Sequence, residues 1–374
     1  MQFAFGTPTP SDQYLSQLSY TKATDVDALY LKGSMSGFTM VSSAASVFSI
    51  GGCAHPEDNQ GAFYRLDIYA ADTYSKDNRS FAYHTSGICV RFCTDAPSIL
   101  IDAEIYRSQK SEAGHLNGRG VCGFDVYVGT GSDRVYCGRP GQTMTSETRV
   151  TEEIALPAGY KEVQINLPLY AGVRSLDIGF PEGASVALPT ERSYEDLVFY
   201  GSSITQGACA SRPGVAYANI LGRALNADVH NLGFSGSAKG EQSIAKYIAS
   251  LEDISAFVMD YDHNNTIAGL QETHYAFYKT VRDAHPDIPI IFVSRPVYLR
   301  ELSAEQLSRI EIIKDTYNKA VAAGDANVYF VCGDDFFPKD YPDLYMVDGT
   351  HPNDLGMYFI AKAIYPVLKS ALDK

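Results

Sequence analysis

Two hydrophobic rhythms share this chain, and they meet near residue 190. In the first half, apolar and polar residues alternate over short runs. Residues 124–128 (Phe-Asp-Val-Tyr-Val) and 163–167 (Val-Gln-Ile-Asn-Leu) alternate cleanly, and 99–105 approaches the same period. A period of two puts one face of a strand in a core and the other outside it. Clusters of Gly, Asn, Asp and Ser, as at 129–133, separate the runs. Many short strands divided by turn residues predict a β-sandwich or jelly roll over residues 1–190. Residues 185–192 read as the linker.

Beyond the linker the apolar runs are near-continuous and helical patterns follow them. Strands are expected at 197–200, 229–232, 256–259, 288–293 and 328–331. Helices are expected at 216–225, 242–251, 273–284, 304–322 and 355–372. Strands apolar on both faces, joined by helices, predict a parallel sheet covered on both sides over residues 191–374. A chain of 374 residues is long enough for two such cores.

Candidate chemistry sits where these strands end. Gly201-Ser202-Ser203-Ile204-Thr205 follows the first of them, a tight turn that would expose a serine hydroxyl. Far downstream, Asp348 and His351 lie three residues apart in a Gly/Pro/Asn-rich loop. That spacing lets a carboxylate hold an imidazole in one tautomer, which is two thirds of a hydrolytic triad. Asn231-Leu232-Gly233-Phe234-Ser235-Gly236 and Asp262-His263-Asn264-Asn265 follow the strands between.

These four segments together resemble the blocks of the SGNH/GDSL hydrolase superfamily, in family order. The resemblance implies a flavodoxin-like three-layer catalytic domain. It implies Ser203 as nucleophile, His351 as general base and Asp348 as its orienting group. It implies an oxyanion hole made of the Ser203 N–H, Gly236 and Asn264. Two departures stand out. Ser202 takes the place of the usual Asp before the nucleophile, and the third block lacks its Gly and final Asp. His263 and Arg295 lie nearby and are left outside the catalytic set. With its β-rich first half, the chain resembles two-domain carbohydrate esterases that remove acetyl groups.

The composition narrows the partners. Lys and Arg number 30 against 44 Asp and Glu, and a net charge of −14 repels nucleic acid and anionic membrane surfaces. No run approaches the ~20 apolar residues that span a bilayer. Residues 1–8 lack the basic and apolar regions of a signal peptide. Seven cysteines, an odd number, favour reduced thiols and a cytoplasmic location. Cys89 and Cys93 share one strand face without a second pair at zinc spacing, so neither metal nor cofactor is expected.

The expected function is therefore a serine esterase that removes acetyl groups from acetylated oligosaccharides without a cofactor. Three readings stay beside it: a short-chain ester or thioester hydrolase, a lipase-like enzyme, and an inactive carbohydrate-binding protein. The chain lacks Trp, so its 26 Tyr and 18 Phe would have to supply any sugar-stacking rings. Self-association through the β-rich half is compatible with all of these. Because every candidate site residue lies beyond the linker, the second half alone is expected to act on a small activated acetate.

Overall fold

The computed structural model of the chain describes residues 12–56, 63–107, 114–141, 148–298 and 301–374. The reading of residues 1–8 falls outside these.

The first half folds into two antiparallel sheets. Among the described residues, one runs Thr21–Lys22, Ser185–Ala187, Cys89–Thr94, Lys161–Asn166, Asp125–Val128 and Val135–Gly138, with Ser49–Gly51 also paired to Cys89–Thr94. The other runs Leu31–Met35, Phe38–Ser42, Ala171–Pro181, Ser98–Arg107 and Arg149–Ala155. Val90, Phe92, Ile99, Ile101, Val163, Ile165 and Ile178 are fully buried in a single cluster between them. Part of the segment read as linker is structured: Ser185–Ala187 pairs with Thr21–Lys22 and with Thr94 and Cys93. Its short apolar run closes a sheet edge, which a reading by turn residues alone passes over.

The second half is a parallel sheet of β1 (Asp196–Gly201), β2 (Val229–Gly233), β3 (Ile254–Asp260), β4 (Ile290–Val293) and β5 (Val328–Val331). Its order is β2-β1-β3-β4-β5. Helices α3 (Gln242–Ser250), α4 (Ile267–Ala284) and α5 (Ala304–Ala322) cover one face around Tyr200, Phe257 and Phe277. Helices α2 (Tyr217–Leu225) and α6 (Asp354–Leu372) cover the other around Phe199, Val258 and Ile360. This is the flavodoxin-like three-layer arrangement. Helix α4 begins six residues before the expected Thr273, because Thr266 Oγ1 accepts from Gly269 N–H at 3.0 Å and caps it. The glycine in that first turn hides the signal.

The two halves share their interiors. Leu66, Phe81 and Ala82 belong to the core of the α3–α5 face. Ala208, Cys209, Ala210 and Ala216 belong to the core between the antiparallel sheets. Charges cross the same boundary. Arg134 donates to Glu162 at 2.7 Å and to Asn226 Oδ1 at 2.9 Å. Arg192 donates to Asp228, whose carboxylate also lies 3.5 Å from Arg91. Burial pushes the Asp228 carboxyl up, but the two guanidinium groups outweigh it and hold it at about 2.

Candidate active site

Strand β1 has β2 on one side and β3 on the other, so the strand order reverses beside it. Such a switch point opens a crevice at the carboxyl ends of the strands. The loops after β1, β2 and β3 carry Ser203, Gly236 and Asn264, and all three leave the same edge of the sheet.

Gly201 ends β1, and only glycine fits there. A Cβ would lie 2.0 Å from Thr205 Oγ1 and 2.3 Å from the Asp260 carbonyl oxygen. The chain then turns into α1 (Ser203–Gln206). Ser202 caps this turn, its Oγ accepting from Ile204 N–H at 3.2 Å. The serine in place of an aspartate thus keeps an N-cap function, for which either residue serves. Below the turn lies a carboxyl that the sequence reading did not single out. Asp260 Oδ2 accepts from Thr205 Oγ1 at 2.8 Å and from the Tyr217 hydroxyl at 2.7 Å. Burial, opposed by these two hydrogen bonds, lifts the Asp260 carboxyl to about 7.

Ser203 Oγ lies 3.0 Å from His351 Nε2. His351 Nδ1 lies 2.9 Å from Asp348 Oδ2. The loop that presents them is braced by Val347 N–H donating to the His351 carbonyl at 2.8 Å. Asn353 caps α6 directly behind it. Ser211, downstream of the nucleophile turn, donates its N–H to Asp354 at 2.7 Å and so ties the two loops together.

Asp348 uses both oxygens, since Oδ1 accepts from the N–H groups of Thr350 and His351 at 2.7 Å each. Burial pushes this carboxyl up, but the His351 ring and the two backbone donors outweigh it and hold it at about 2. Its charge is therefore present at neutral pH and is lost only as pH falls through about 2. We expect Asp348→Asn to lower kcat by about 10²–10⁴-fold. An amide that keeps the backbone donors on its oxygen turns its NH₂ towards Nδ1. His351 would then carry its proton on Nε2 and could not take one from Ser203. A pH–rate series on the variant checks this, and a loss below tenfold would refute the tautomer argument.

The backbone N–H groups that lead up to Gly236 are paired. Gly233 donates to Asn231 Oδ1 at 2.8 Å, Phe234 to the Gly201 carbonyl at 2.8 Å, and Ser235 to Gln206 Oε1 at 3.1 Å. Gly236 follows with φ +70°, a value that favours glycine, and its Cα faces open space. After β3, Asn264 Oδ1 is buried without a hydrogen-bond partner among the described residues. The loop around it is fixed by its neighbours. Asn265 donates to the Lys239 carbonyl at 2.7 Å, and Arg309 donates to the Asp262 and Asn265 carbonyls. His263 pairs with Asp262 at 3.4 Å, while the Arg295 N–H donates to Asp262 Oδ2 at 3.1 Å. His263 thus pairs within the third block, and Arg295, which follows β4, is tied to that block by its backbone.

The β-rich half reaches this site, which no sequence motif signalled. Arg65 is fully buried, and its guanidinium donates to the carbonyls of Asn231 (2.9 Å), Gly233 (2.7 Å), Phe81 (2.6 Å) and His84 (2.7 Å). It therefore clamps the loop that leads to Gly236. The Tyr170 hydroxyl donates to the Ser203 carbonyl at 3.4 Å. The His115 ring stacks on His351, centroids 4.5 Å apart and planes 12° from parallel.

His115, Cys209 and His351 place one N or S atom each within 4.8 Å of one another, the geometry a metal ion would need. The side chains do not suit one. Imidazoles ligate in their own planes, and two nearly parallel stacked planes do not converge on a shared ion. Burial, then the charge of Asp348, pushes the Cys209 thiol up to about 12, so that it is protonated at neutral pH in the metal-free site.

Residues 195–369 match the GDSL-like lipase/acylhydrolase family, and residues 39–186 match the family described as the N-terminus of SGNH-hydrolase-type esterases. A Bacteroides ovatus protein described as a candidate GDSL-like lipase is 27% identical, with a TM-score of 0.79 over 90% of this chain and 98% of that one. The salicylyl-acyltransferase SsfX3 of a tetracycline biosynthetic pathway is 20% identical, with a TM-score of 0.75 over 90% and 98%. A family two carbohydrate esterase from Clostridium thermocellum is 16% identical, with a TM-score of 0.60 over 84% and 99%. The last two share the fold with this chain. No curated relative matches it by sequence.

Proposed function

We propose that this chain, whose second half belongs to the GDSL-like lipase/acylhydrolase family of SGNH hydrolases, is a serine esterase that removes acetyl groups from carbohydrates. The observation that carries the chemistry is the unbroken hydrogen-bonded row from Ser203 through His351 to Asp348. In this reading His351 takes the Ser203 proton as Oγ attacks the ester carbonyl. The N–H groups of Ser203 and Gly236 and the Asn264 amide hold the oxyanion. As the intermediate collapses, the imidazolium of His351 gives its proton to the departing sugar oxygen, which leaves as a hydroxyl, and water then repeats the sequence on the acyl-enzyme to release acetate. Each proton passes through one imidazole, and Asp348 stays ionised throughout.

The carbohydrate preference rests on the β-rich half. Phe63, Tyr64, Tyr83, Tyr106 and Arg174 line a hollow of about 380 Å³ in the β-rich half. The strand Ala171–Pro181 that borders it starts directly after Tyr170, which touches Ser203. Tyrosine faces suit sugar rings, and these are the rings a chain without Trp can offer. A lipase-like acyl hydrolase is the second reading, favoured by the likeness to the Bacteroides ovatus protein. The odd number of cysteines, seven, is what supports a cytoplasmic placement in this reading. No described helix is long and apolar enough to cross a membrane.

Mass spectrometry of acetylated xylo- and cello-oligosaccharides incubated with the protein tests this reading. Successive losses of acetyl are expected, undiminished by EDTA. Faster cleavage of long-chain acyl esters than of acetate would favour the second reading, and loss of activity on chelation would overturn the triad.

A further inference from the structure

We infer that His115, contributed by the β-rich half, is a positioning residue that holds the His351 imidazole in its working orientation. The inference rests on the esterase reading above. The contact comes from a built loop. Asn117 caps the helix Gly118–Cys122, its Oδ1 accepting from Arg119 N–H at 3.0 Å. The Cys209 thiol donates to the His115 carbonyl at 3.2 Å. Gly120 packs so close to Ala210 that a Cβ would lie 2.2 Å from its carbonyl oxygen. Leu116 packs against the core between the antiparallel sheets. The backbone of residue 115 is thus pinned to the segment that follows the nucleophile.

The side chain it presents is exposed, but its ring lies flat on His351. His351 has in-plane contacts at both nitrogens, to Ser203 and to Asp348. Those contacts leave the ring free to rock about the line that joins them. A ring laid on its face removes that freedom, and near-attack geometry is sensitive to displacements of this kind. Burial and the neighbouring His351 lower the basicity of His115, against a smaller opposing pull from Asp348. At neutral pH an uncharged π face therefore meets the imidazole that gains charge when Ser203 is deprotonated. Attraction between a cation and a π face strengthens at that moment, and so favours the transition state over the ground state. Among the described residues, the titratable groups facing His115 are His351, Asp348 and the protonated Cys209 thiol.

Three variants, each assayed on p-nitrophenyl acetate with a melting curve, test this. His115→Ala should lower kcat about tenfold, the scale of one well-formed aromatic pair, with KM changed less than twofold. The melting temperature should stay put, because the side chain is exposed. His115→Phe keeps a flat ring without nitrogen and should return kcat to within about threefold of the unmodified protein. A metal-ligand role would be lost equally in both variants. Equal damage in Phe and Ala, or full activity in Ala, overturns the inference while loss of turnover in Ser203→Ala leaves the esterase reading standing. Turnover that survives in Ser203→Ala removes that reading and the role given to His115 with it.

Discussion

Ser203→Ala is expected to reduce ester turnover by about four to six orders of magnitude, since nucleophile and base act as a unit. The same change should shift Tm by no more than about 4 °C, because it removes one hydrogen bond, worth about 1 kcal/mol, from a site shaped by other groups. Ser202, not Ser203, caps the nucleophile turn. Thr205, Tyr217 and Asp260 hold it from below. The neighbouring serine gives the complementary result. Ser202→Ala should cost about 1 kcal/mol of stability through the lost cap and leave most of kcat. Initial rates on p-nitrophenyl acetate and thermal melts of both variants decide the matter. Near-normal turnover in Ser203→Ala, with inactivity in Ser202→Ala, would transfer the nucleophile role and break the proposed row.

What could be read from the sequence was what local pattern encodes. Four of the five strands of the parallel sheet hold continuous apolar runs, β2 (Val-His-Asn-Leu-Gly) being the exception, and helix starts such as Ser303 carry caps that the sequence spells out. Ser203 sits in a Gly-Ser-Ser turn at a strand end, and Asp348 and His351 sit in one loop. Chain order alone therefore grouped the residues that the fold lays in one hydrogen-bonded row. The rest was set by contacts between residues far apart in the chain. Arg65 and Asn231 are 166 positions apart, and nothing around Phe63-Tyr64-Arg65-Leu66 marks an arginine that will be buried against carbonyls. His115 is a lone loop histidine until the fold lays it on His351. Asp260 reads as the polar end of an apolar strand. Its raised pKa follows from burial under the nucleophile turn, against which two hydroxyl partners, one of them 55 residues upstream, pull only part of the way back. Ser185–Ala187 reads as linker because an edge strand of three residues carries almost no periodic signal.

Removal of residues 1–190 is expected to abolish activity on every ester, small activated acetates included. The location of the candidate catalytic residues beyond the linker suggests the opposite, so the experiment separates motif position from packing. Three observations favour the packing argument. Leu66 and Phe81 are at most 1% exposed within the core of the second half, and their loss would open a cavity on the sheet face beside Leu232. Ala208 and Cys209, next in the chain after the nucleophile turn, would lose the core they are buried in. The Asn231 and Gly233 carbonyls would lose the Arg65 guanidinium, and with it the hold on the loop carrying Gly236. A point variant makes the test specific. Arg65→Met removes a fully buried cation, which burial has already pulled down to about 9 but which is still charged at pH 7. Four carbonyls are left without that donor, at a cost of about 3–5 kcal/mol. If the variant folds, as circular dichroism would show, kcat should fall by about 10²–10³-fold, the scale of one lost oxyanion donor. KM should change little, because the clamp acts on the developing oxyanion and not on the bound ester. A folded truncate that hydrolyses p-nitrophenyl acetate like the full chain would show that the second half builds its site unaided. Arg65→Met with unchanged kcat would show that the loop after β2 holds its shape without the clamp.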